Sequence, residues 1–105
     1  MYVRNQDTKS QTLITYVGPS TPEHANYLAA EILFADDFDT ASLPKSVRAR
    51  RLMTIDCTPR ADNQKNETGV KRLRSILKGL EGTKVKVITP YGNSITEEDF
   101  FARVS

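Results

Sequence analysis

Hydrophobic and polar residues alternate along residues 12–17. Leu13, Thr15 and Val17 fall on one face and Ile14 and Tyr16 on the other, which is the period of a strand. Residues 2–5 share its β-branched and aromatic character, and the polar run QDTKSQ between the two predicts a hairpin. Both faces of the second strand are largely apolar, so cover on both sides is expected. Gly18-Pro19 ends it. The period then lengthens. Ala25, Leu28, Ala29, Ile32 and Leu33 recur at helical spacing, and Pro22 suits a first turn, so a helix is expected over residues 21–35. Asp36 and Asp37 oppose the negative end of its dipole, and ADDFDTASLPKS reads as a loop.

From Val47 the period returns to two. Val47, Ala49, Arg51, Met53, Ile55 and Cys57 project one way, and Arg48, Arg50, Leu52, Thr54, Asp56 and Thr58 the other, predicting a strand over residues 47–58. Its near half is too charged for a core and is expected at an edge or at the mouth of a cleft; Pro59 stops it. Asn66 is placed to cap a second helix, over residues 66–81, with Glu67 complementing the dipole. Val70, Leu73, Ile76, Leu77 and Leu80 form its apolar stripe, Lys71, Arg74 and Lys78 lie roughly opposite, and Gly82 is a left-handed stop. Residues 84–89 alternate as a strand with Val85 and Val87 on one face, and residues 90–93 form a turn. Thr96 caps a last helix that carries Glu97, Glu98 and Asp99 in its first turn.

The order is ββαβαβα. It predicts an α+β fold: a small mixed four-stranded sheet with helices mainly on one face, and one parallel crossover through the second helix. A chain of 105 residues fits a single domain, 1–105, and 38% hydrophobic with 27% charged residues is ordinary for a globular protein. No apolar run is long enough to span a membrane, the start lacks the apolar core of a signal peptide, and the lone Cys57 has no partner for an internal bridge. Those features place the chain in a reducing cytoplasm.

Catalytic chemistry finds little footing. His24 is the only histidine and falls in a first helical turn, where a solvated or capping role is ordinary. One cysteine and one histidine do not make a zinc site, and an enzyme is not expected. Cys57-Thr58-Pro59-Arg60 follows a strand as a phosphatase loop does, but Asn63 stands where the phosphate-binding arginine is needed; Cys57 reads as a small buried hydrophobe. Asp36, Asp37 and Asp39 lack EF-hand spacing and read as solvated. Gly-rich nucleotide loops are absent from the sequence, and no cofactor is expected.

A basic set remains: Arg48, Arg50 and Arg51 on the third strand, Arg60 after it, and Lys71, Arg72, Arg74 and Lys78 on the helix. Guanidinium forks match phosphate bidentately, so Arg48, Arg50, Arg51, Arg74 and Lys71 are the expected phosphate contacts, with Tyr16 or Tyr91 stacking on a base. The plain alternative is a solvated cationic face. A net charge of only +2 fits a small ligand with a few phosphates, or a short single strand, better than long DNA.

The short length, the Tyr2-Val3-Arg4-Asn5 start, the hairpin–helix opening and the arginine-bearing strand and helix give a layout similar to that of small phage-encoded proteins that sequester cyclic signalling nucleotides, such as the Thoeris anti-defence sponges. The resemblance implies a non-catalytic homo-oligomer with ligand pockets at subunit interfaces, working in the cytoplasm of a bacterial host. The first expectation is thus a non-enzymatic protein that binds an anionic nucleotide through arginines. The second is a small protein–protein module or inhibitor that uses the ADDFD loop or the Phe100–Phe101 helix.

Overall fold

A computed structural model describes residues 11–60, 64–88, 90 and 92–105. The expected first strand, residues 2–5, lies outside them. The second expected strand is present as β1, Thr12–Val17. It is the centre of the sheet. β2 (Ala29–Leu33) pairs antiparallel with one edge of β1, and the other edge is shared by β4 (Val85–Val87, parallel) and β5 (Ser94–Ile95, antiparallel). β3 (Leu52–Asp56) pairs antiparallel with β2, giving the order β3-β2-β1-β4 with β5 beside β1. The class is α+β with a mixed sheet, as expected, but the described strands number five rather than four. β3 and β4 run parallel and are joined through a helix, with β2 and β1 lying between them.

The largest departure is the expected helix over residues 21–35. Only Pro22–His24 turns, as a short 3-10 segment, and Ala29–Leu33 forms β2. The apolar positions fit both periods: Ala30, Ile32 and Phe34 are buried while Glu31 and Leu33 are exposed, which is a strand alternation hidden inside a helical stripe. Flanked by β1 and β3, this segment makes ladder bonds on both sides, and that outweighs the helical preference of its alanines, which amounts to less than about 1 kcal/mol per residue.

The second departure is at residues 47–51. Lys45–Arg48 forms the short helix α1, and Arg51, at φ 55, turns the chain into β3. Only residues 52–56 of the expected long strand are strand.

The later elements follow the expectation closely. α2 covers Glu67–Gly79, capped by Asn66, whose side chain accepts the Gly69 N–H at 3.0 Å. Gly82 has the left-handed φ expected of a stop, 86. α3, Glu97–Val104, is capped by Thr96, which accepts the Asp99 N–H. Both helices pack on the face of the sheet that presents Ile14, Tyr16, Ala30, Ile32, Met53 and Ile55, and Leu73, Leu80, Phe100 and Val104 complete that core. Among the described residues the opposite face, with Leu13, Thr15 and Val17 half-buried and Leu33 and Leu52 exposed, has no such cover, and both long helices lie on one side of β1.

Candidate functional site

The arginines of residues 48–51 bind the fold itself. Arg48 donates from Nε to the Thr40 and Leu43 carbonyls and from Nη2 to the Ala41 carbonyl, at 3.0–3.2 Å. Arg51 donates from Nε and Nη2 to the Ala35 carbonyl and from Nη2 to that of Phe38 at 2.7 Å. The loop of residues 35–43 has few backbone bonds of its own, Phe38 N–H to the Ala35 carbonyl and Leu43 N–H to that of Thr40, and two guanidinium groups with several donors each add to them. These arginines clamp that loop, which accounts for their density near β3. Arg50 is exposed and lines a shallow groove with Leu13, Leu33, Phe34 and Asp36 at the end of the sheet.

Tyr16 is fully buried, its ring 4.9 Å from that of Phe100 and its hydroxyl donating to Glu97 Oε1 at 3.1 Å. Burial, reinforced by the Glu97 carboxylate, raises its pKa above the ordinary phenol value. It offers no base a stacking surface. Tyr91, the other expected stacking residue, lies outside the described residues.

Arg51 lines the shallow groove at the end of the sheet beside Arg50, with the Asp36 carboxylate between the same walls, and Lys71 and Arg74 are a second pair of expected cations on one concave surface. A groove of about 350 Å³ beside α2 is lined by Lys65, Glu67, Val70, Lys71, Arg74 and Val104. It continues at the N-terminus of α2 into a hollow bordered by Arg60, Lys65 and Thr68, where the positive end of the helix dipole adds to the side-chain charge. Beyond Arg74 the trough turns acidic, with Glu97 and Glu98 beside Leu77 and Phe101. Arg74 is held in place: its guanidinium lies 5.3 Å from the Phe101 ring centroid, and Nη2 donates to Ser105 Oγ at 3.3 Å. Lys71 makes no side-chain hydrogen bond among the described residues. Lys65 was missed from the sequence because nothing local marks it; it matters only because the chain before α2 folds back beside the helix.

A larger cavity, about 500 Å³, is elsewhere. It lies at the C-terminal end of α2 between Asp37, Asp39, Gly82 and Lys84, where two carboxylates and the negative helix end disfavour an anion. Among the described residues no group of three or more His, Cys, Asp or Glu side chains is placed to hold a metal ion. The Asp39 carboxylate instead accepts the Ala41 N–H at 3.0 Å. Cys57 is buried, and its thiol is pushed up to about 11 by burial and then by the Asp56 carboxylate, which disfavours a thiolate nucleophile.

Searches of protein-family profiles, curated proteins and solved structures gave no match to this chain. The sponge-like layout drew partly on a helix after the opening strands, and that segment is β2.

Proposed function

We propose that this chain is a non-catalytic binding protein for an anionic ligand of the nucleotide type, with the trough along α2 as its site. One observation carries the reading: of the cations expected to meet, Lys71 and Arg74 share a groove with Lys65 over an apolar floor of Val70 and Val104. Phosphate would lie against Lys65, Lys71 and Arg74, and the flat part of the ligand on the valines. Arg48 and Arg51 leave the binding set because Nε and Nη2 of each are held on loop carbonyls and neither lines this groove. Sequestration of a cyclic signalling nucleotide, as in a phage anti-defence sponge, is the role such a site would serve, and a short single strand is the other ligand of the same chemistry.

Titration with a labelled cyclic dinucleotide and a labelled short oligothymidylate tests this. Wild type should bind one of them, and K71E/R74E should lose at least about tenfold in affinity, roughly 1.4 kcal/mol. R50E, at the far end of the sheet, should bind as wild type does. For the oligothymidylate, with about three cations engaged, log K should fall with log salt at a slope of roughly −2. Equal affinity in wild type and K71E/R74E would end the proposal.

A protein-interaction module is the second reading, and its surface moves. Phe100 is buried and Phe101 is half-buried beneath Arg74, so the last helix does not present its aromatics for docking. The exposed large apolar residues Leu33 and Leu52 stand on the open face of the sheet.

A further inference from the structure

Leu13, Leu33 and Leu52 are register partners across β1, β2 and β3, on the face opposite α2 and α3. Leu33 is 44% and Leu52 39% exposed. The row is a contiguous apolar strip on the surface of a small domain. Two charges sit at opposite corners of the same face. Lys86 is the register partner of Leu13 on β4, and Asp56, partner of Ala29, ends β3 diagonally across. Asp56 gives Oδ1 to the Thr58 N–H at 2.9 Å, which leaves Oδ2 for a cation.

We propose that a second copy of this chain occupies this face, forming a two-fold dimer. A face with opposite charges at opposite corners is complementary to itself: a copy turned about an axis between those corners sets each Lys86 over the other's Asp56. The leucine rows then meet near Leu52, and the strands of the two sheets cross at roughly 90°, the orthogonal way in which sheets pack. Exposed Glu31 lies near that axis and approaches its own copy, a like-charge contact that weakens the association. A face of four short strands buries less than the roughly 800 Å² per partner of a standard interface, so the dimer forms in the micromolar range rather than tighter.

Sedimentation of the full chain from about 5 to about 500 µM reads this directly. Wild type should pass from monomer to dimer mass. L33E/L52E, at two already exposed positions, should stay monomeric while its circular dichroism remains that of the folded chain, with the like charges opposite each other costing about 1 kcal/mol or less of stability. K86D and D56K should each weaken dimerisation by at least about tenfold, and K86D/D56K should recover most of it, because the swap restores the pair. A wild type that is monomeric throughout overturns the proposal. So does a dimer that persists in L33E/L52E, or a double swap no better than its single variants.

Discussion

Arg51 shows how a residue that looks like a ligand contact can be a structural clamp. Its backbone adopts φ 55, a conformation costly for any residue with a Cβ, and its guanidinium ties down the carbonyls of Ala35 and Phe38. R51A should destabilise the fold by about 1–3 kcal/mol through the charge-assisted bonds lost at Ala35 and the donor lost to the Phe38 carbonyl, read from urea denaturation, without weakening ligand binding. R51G should recover part of that loss, since glycine takes the left-handed conformation freely. Cys57 and Tyr16 give the fold an alkaline limit. Both hold their protons more tightly folded than unfolded, so the Cys57 contribution is complete below the unfolded thiol's pKa near 9.0 and is lost as pH rises through about 11. That of Tyr16 begins to fall only above the ordinary phenol value of 10.0 and runs on to higher pH. The urea midpoint should be flat from neutral pH to just below that range and then fall. C57A should remove part of the slope, and a midpoint unchanged through the alkaline range would contradict the burial argument.

At the scale of elements, helices with local stop and start signals formed where the sequence placed them. Asn66 caps α2 and Thr96 caps α3 because capping needs only groups within three residues. N66A should cost about 1 kcal/mol, more if its Nδ2 bond to the Asp56 carbonyl adds to the cap. Gly69 is a tertiary requirement in the same helix: a Cβ there would collide with the Asp56 backbone oxygen, so the first turn of α2 packs directly on the end of β3. G69A should therefore destabilise by about 1–3 kcal/mol although alanine is the better helix former. A melt of G69A at or above wild type would show that the helix end shifts to make room. Residues 21–35 are the opposite case, since their apolar spacing suits a helix and only neighbouring strands make them a strand.

Across the whole molecule, β1 joins segments far apart in the chain: Thr12 is the register partner of Val85, and Tyr16 that of Ile95. The core is closed late by α3, whose Phe100 is fully buried against Tyr16. F100A should cost about 3–5 kcal/mol, a large share of the stability of a domain this size, and thermal melting should show it partly unfolded at physiological temperature. The proposed binding trough belongs to this scale as well, because α2 supplies Lys71 and Arg74, the chain before it supplies Lys65, and α3 supplies Val104 and the Phe101 ring under Arg74.

The amino-acid sequence by itself determined β1, α2 and α3, the caps, the Gly82 stop and the α+β class, because each rests on alternation or on groups a few residues apart. The tertiary structure alone decided that residues 29–33 pair as β2, that Tyr16 points into the core, and that Arg48 and Arg51 bind carbonyls. It also decided that Lys65, Lys71 and Arg74 share one groove. A charged or aromatic side chain carries the same local signal whether it faces solvent, a loop carbonyl or a ligand; which of these it meets is set by segments tens of residues away.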